Sequence, residues 1–161
     1  MSTEKDYTSE YEAFIEKIVA SQKVYTLHNE KGEYATCYSA DYEDEDGEEI
    51  DVLCFWSDEK LANACKVDEW TDNQVEEIPL AEFIEEWCVG MFHDFVLVGV
   101  DFDNEMEGYE ADAMELIIDI VRKLEDQEIE LSFKRFKDLT DVKEQIDEML
   151  LGDEIDEKSV K

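Results

Sequence analysis

In the stretch Leu97–Gly108, LVGVDFDNEMEG, an apolar run ends in carboxylates at alternate positions, Asp101, Asp103 and Glu105. Oxygen donors at that spacing match the first three ligand positions of a helix-flanked calcium loop. The match then fails: Met106 stands where the sharp turn requires glycine, and the twelfth position is Asp112 rather than a bidentate Glu. A second acidic stretch, DYEDEDGEEID from Asp41 to Asp51, puts Asp44, Asp46 and Gly47 in register but has Tyr42 and Leu53 at the first and twelfth positions. Both are read as solvated strand ends or turns, so no dedicated metal site and no cofactor is expected.

Four cysteines, Cys37, Cys54, Cys65 and Cys88, together with His28 and His93, are enough in number for a tetrahedral zinc site. No two cysteines have the spacing of a zinc knuckle. A thiol nucleophile with a histidine base, Cys88 or Cys54 with His93, is permitted by residue type and supported by no motif. Each cysteine sits in an apolar context, and reduced core thiols are the better reading. The six glycines are too scattered to cradle a phosphate, and there is no nucleophile elbow. Among 47 acids some close carboxylate pair is inevitable, so a pair carries no information about hydrolysis. Trp56, Trp70 and Trp87 read as core. FKRFK, Phe133–Lys137, interleaves bases with aromatics as single-strand binders do, but in so acidic a chain it is expected to dock the C-terminal segment onto the body.

The elements that must position these residues follow from periodicity. Ser9 with Glu12 makes a capping box, and Tyr11, Phe14, Ile15, Ile18 and Val19 recur at helical spacing, which predicts a helix over 9–21. Runs at Val24–His28, Tyr34–Tyr42 and Ile50–Trp56, separated by turn-forming residues, predict three strands in an antiparallel meander. Ser57 is expected to cap a short helix burying Leu61, Ala64 and Cys65. Pro79 opens a helix whose stripe is Leu80, Phe83, Ile84, Trp87, Cys88 and Met91, with Glu82, Glu85 and Glu86 on the other face. The unalternating run Phe95–Val100 predicts a strand covered on both faces or inserted centrally in the sheet. Ala113, Leu116, Ile117, Ile120, Val121 and Leu124 predict a helix over about 110–127. Beyond it a strand near 128–136 and a last helix stopped by Gly152, with a mobile acidic tail, are expected. The fold class is therefore α+β: an antiparallel sheet, the meander plus one apolar strand, packed by three or four amphipathic helices. Residues 1–127 form the expected domain and 128–161 its C-terminal extension.

The composition narrows the function. A chain of 161 residues with 43% apolar side chains can bury a core. Against 47 acids stand only 14 bases, a net charge of −33, which disfavours nucleic acid and anionic lipid and favours a basic partner. There is no run of the roughly 20 apolar residues a membrane span needs. The N-terminus MSTEKDYTSE has no signal-peptide character, so a cytoplasmic location is expected.

The pieces VYTL (Val24–Leu27), CFWSDEKLANAC (Cys54–Cys65), IPLAEFIEEW (Ile78–Trp87) and LVGVDFDNEMEG (Leu97–Gly108), in that order, resemble the bacterial family of domain of unknown function 2750 over roughly residues 10–127. The resemblance implies a cytosolic bacterial protein and transfers no reaction, cofactor or catalytic residue. The chain is more acidic than the family pattern at Asp101 and Asp103, which argues against a shared metal role there.

The functional expectation is a non-enzymatic acidic module that binds a basic protein, with Asp44, Glu45, Asp46, Glu48 and Glu49 on a projecting turn as part of the contact. Two rivals differ in what they require. An enzyme of unrecognised type needs convergent titratable groups in a pocket, and a mimic of nucleic-acid charge needs carboxylates in rows on a rigid face.

Overall fold

The computed structural model describes residues 8–43, 46–105 and 107–159, with the side chains of 40–43 and 152–159 left aside. Its helices are α1 (Thr8–Ser21), α2 (Glu59–Ala64), α3 (Leu80–Glu82), α4 (Val89–Asp94), α5 (Ala113–Asp126) and α6 (Leu139–Ser159). A π-helical stretch, Phe83–Cys88, joins α3 to α4 without a break. The strands are β1 (Lys23–His28), β2 (Thr36–Glu43), β3 (Glu49–Phe55), β4 (Gln74–Pro79), β5 (Leu97–Val100) and β6 (Tyr109–Ala111).

The strands make two sheets, β1-β4 and β2-β3-β5-β6. This keeps the α+β class and the β2–β3 hairpin but corrects the meander. β1 pairs along its length with β4, which periodicity left unassigned, and meets the larger sheet through the bridge Tyr25↔Trp56 and a bridge from His28 to Tyr34. β5 is the centrally inserted strand, parallel to β3 on one side and antiparallel to β6 on the other. The larger sheet is therefore mixed.

Alternation along β3 shows how the core is divided. Phe55 joins the larger cluster with α1, α5, the 80–94 helix and α6, while Val52, Cys54 and Trp56 point the other way into a smaller cluster with Leu27, Ala62, Cys65, Trp70 and Phe102. β5 is covered on both faces in the same manner, Val98 and Val100 on one and Leu97 on the other, which explains its unbroken apolar run. Every stripe residue foreseen for α5 is buried.

Local details depart from expectation. The cap of α2 is Asp58, whose carboxylate accepts from Lys60 N–H at 2.7 Å. That start buries Ala62 and Cys65 and leaves Leu61 and Ala64 exposed. α5 begins later than expected because Asp112 caps it, accepting from Met114 and Glu115, while 109–111 form β6. No strand forms over 128–136. Gly152 does not stop α6, which continues to Ser159; a helical glycine costs only about 1 kcal/mol and no proline follows to break the chain.

The largest departure is Glu85. Assigned to the solvent face, it is 5% exposed because residues 133–137 cross over it. Its carboxylate accepts the backbone N–H groups of Lys134 (3.1 Å), Arg135 (2.6 Å) and Phe136 (3.1 Å). Arg135 pairs with Glu86 at 2.8 Å, and the rings of Phe133 and Phe136 meet edge to face at 5.8 Å. FKRFK thus docks the C-terminal segment, but mostly through main-chain donors rather than its charges. Val142 and Ile146 of α6 are fully buried in the larger core cluster.

Candidate functional site: the acidic turn, the loop after β5 and a cysteine pair

The loop after β5 is built inward. Asp101 donates its N–H to Phe55 O at 3.0 Å, then turns the chain in the left-handed region at φ +46°. Its carboxylate folds back onto Ser57, Oδ1 accepting the backbone N–H at 2.7 Å and Oδ2 the hydroxyl at 2.8 Å. Burial raises the Asp101 carboxyl above the usual aspartate range, and the two Ser57 bonds partly offset it. The next carbonyl, Phe102 O, accepts from Trp56 Nε1 at 2.8 Å and from Cys65 Sγ at 3.1 Å. Gly108 closes the loop against this layer, where a Cβ would come within 2.9 Å of Val100 O.

Asp103 is engaged with its own turn. Its Oδ1 accepts from Glu105 N–H at 2.9 Å and Glu107 N–H at 3.1 Å. Glu105 is exposed. The three carboxylates of the calcium-like pattern therefore serve different ends, and Asp112 caps α5. Among the described residues no group of three His, Cys, Asp or Glu side chains is placed to hold a metal ion.

The acidic turn joins β2 to β3. Asp46, Glu48 and Glu49 are exposed, and Gly47 supplies the positive φ, +78°, that reverses the chain. Asp44 and Glu45 lie outside the described residues. The hairpin register sets Glu43 opposite Glu49 and slips between Tyr38 and Glu43, so the ladder is irregular just below the turn.

The cysteines and histidines do not assemble into the pairs considered from sequence. Cys88 is fully buried among the residues of the larger core, and burial pushes its thiol well up. His93 is exposed on α4, and His28 lies 3.6 Å from Glu76. Instead, Cys37 and Cys54 meet with their sulfurs 4.0 Å apart. The hydrogen bond shared with Cys54 holds the Cys37 thiol below its ordinary range against its own partial burial; the same bond, together with burial, pushes Cys54 well above its range. The signal for this pair lay in the hairpin itself, because the two cysteines stand at similar distances on either side of the Asp46-Gly47 turn.

A second unforeseen cluster joins α1 to α5, where the Tyr11 hydroxyl donates to Asp119 at 2.6 Å and its ring stacks on Tyr109 at 4.4 Å. Burial and Asp119 raise the Tyr11 phenol. A recess of about 1110 Å³ lies between the end of α5 and the start of α6, lined by Ile129, Leu131 and Phe133 together with Glu128, Glu130 and Lys137 among others.

The architecture is α+β, and among the described acidic side chains Asp58, Asp112, Asp101 and Glu85 cap or staple the backbone while many others lie at the surface. The family model for the protein of unknown function DUF2750 matches residues 11–120, and the chain belongs to that family. No curated protein and no solved structure matches it. Among the described residues no helix is long and apolar enough to cross a membrane.

Proposed function

We propose that the protein is a non-enzymatic, cytoplasmic module that binds a basic protein, with the acidic turn between β2 and β3 as part of the contact. The observation that carries the reading is the exposure of Asp46, Glu48 and Glu49 together on the turn at which Gly47 reverses the chain. Such a cluster adds to the net negative charge of the chain and presents a surface that lysines or arginines of a partner can pair with. The recess beside α6 is compatible with the reading, since Glu128, Glu130 and Asp138 line it beside Ile129, Leu131 and Phe133, although Lys137 lines it too. The charge-mimic alternative is less favoured, because the described acids are distributed over caps, staples and several helices rather than aligned in rows.

The test starts with affinity capture from the native host at low and moderate salt, and measures the association rate of the captured protein. Replacing Asp44, Glu45, Asp46, Glu48 and Glu49 by Asn and Gln is expected to slow association, most at low salt, while the melting temperature stays level or rises. The free wild-type protein should itself become more stable as monovalent salt rises from very low levels, because screening acts over about 8 Å at physiological ionic strength. Association of the variant at the wild-type rate at every salt concentration would reduce the acids to a solubilising coat.

A further inference from the structure

Cys37 and Cys54 are diagonal neighbours on one face of the β2–β3 hairpin: the register pairs Cys37 with Val52, and Cys54 lies two positions further along β3. β2 is the outer strand of its sheet, Cys37 is half-buried there, and Cys54 is buried beneath it. On the inner side β5 presents Gly99 opposite Cys54, where a Cβ would stand 3.2 Å from the Cys54 sulfur. The bare glycine lets that sulfur pack close over β5 beside Val52 and Phe102. One thiol is therefore reachable from solvent, and a second is held 4.0 Å behind it.

We propose that Cys37 and Cys54 form a redox-active dithiol site for small-molecule disulfides, in which Cys37 is modified first and Cys54 resolves the adduct into an intramolecular disulfide. The Cys37 thiolate attacks one sulfur of the disulfide RSSR; that S–S bond breaks and RS⁻ leaves with the electron pair, to be protonated by water. Cys54 then gives up its proton to solvent as its sulfur attacks the Cys37 sulfur, the mixed disulfide breaks, and a second RS⁻ leaves and is protonated. Both protein thiols are oxidised by two electrons in total, and RSSR is reduced to two RSH. The hydrogen bond with Cys54 favours the Cys37 thiolate, while partial burial and then Glu110 oppose it.

Diagonal positions on antiparallel strands lie about 7–8 Å apart, beyond the roughly 4.4–6.8 Å between Cα atoms that a relaxed disulfide spans. Oxidation therefore draws the edge strand inward, and the slipped register between Tyr38 and Glu43 gives β2 the slack to move. A disulfide closed under such tension is readily reduced, which makes the site reversible.

The full-length protein is treated with oxidised glutathione, quenched in acid and weighed, then digested with a protease that cuts at the many acidic residues between the two cysteines. The expected product has lost the mass of two hydrogens and yields one linked pair of peptides, Cys37 with Cys54, which dithiothreitol separates. Cys54→Ala should stop at a single glutathione adduct on Cys37, and Cys37→Ser should give neither product. On the native wild type, iodoacetamide should label Cys37 at least about tenfold faster than the other three cysteines; this measurement and the wild-type digest decide the matter even if Cys54→Ala does not fold. A persistent adduct on the wild type, a link to Cys65 or Cys88, or an unreactive Cys37 would each overturn the proposal.

Discussion

The carboxylate of Glu85 accepts the backbone N–H of Arg135 at 2.6 Å, across 50 positions of sequence. With Lys134 and Phe136 donating beside it, a buried charge in the middle of the chain is satisfied by three main-chain groups from near its end. Glu85→Ala strands those donors and should lower stability by about 3 kcal/mol or more, with Glu85→Gln keeping part of the loss back. Urea unfolding of the pair of variants measures this.

Shortening the chain after Gln127 removes the same donors together with Val142 and Ile146, both buried in the main core. Residues 1–127 are expected to remain folded, with a melting temperature below that of Glu85→Ala. Loss of a cooperative thermal transition would instead make residues 128–161 part of the folding unit.

Asp101 ties pH to stability with a defined sign. Its carboxyl is raised in the folded state by burial, so the native protein binds this proton more tightly than the unfolded chain. The contribution is fully present below the unfolded value of about 3.9 and is lost as pH rises through the folded value. Asp101→Asn, which tolerates the left-handed backbone, should flatten that part of the profile. Denaturant titrations across the acid range should show the stability of wild type relative to variant falling as pH increases.

The same loop should hold no specific metal. Asp101 is bound to Ser57 and Asp103 to its own turn. Calorimetry of the metal-free protein with calcium, magnesium and zinc is expected to show no stoichiometric event of micromolar or tighter affinity. Such an event, abolished in the Asp101→Asn, Asp103→Asn double variant, would restore the metal reading.

Phe95 closes α4 in the left-handed region at φ +59° with 84% of its surface exposed. A bulky residue there strains the backbone and buries almost nothing. Phe95→Gly should raise stability by roughly 0.5–1 kcal/mol, the strain relieved less the extra chain entropy of glycine. A melting temperature that falls would show that the ring makes contacts its exposure does not reveal.

Helix stripes and the apolar run of β5 were legible because each repeats a period that burial imposes. β4 and β6 were not: QVEEIP (Gln74–Pro79) alternates weakly, and β6 is only three residues long, so its pairing depends on β5 rather than on its own pattern. Glu85 was misplaced because a helical projection registers which side chains are polar, whereas its burial is set by a segment 50 residues away. The acidic pattern of the β5 loop was visible, but its spacing was silent on direction. A carboxylate that staples Ser57 and one that meets solvent are written alike.

The position of β5 also governs the order in which the protein assembles. The β2–β3 hairpin closes a short local loop, but β5 can join β3 only after everything from Ser57 to Val96 has been brought back alongside it. The entropy of that closure precedes any gain from the ladder or from the two core faces it seals. Docking of the central strand is therefore expected to come late and to limit the folding rate, so that rewriting the acidic turn should change that rate little.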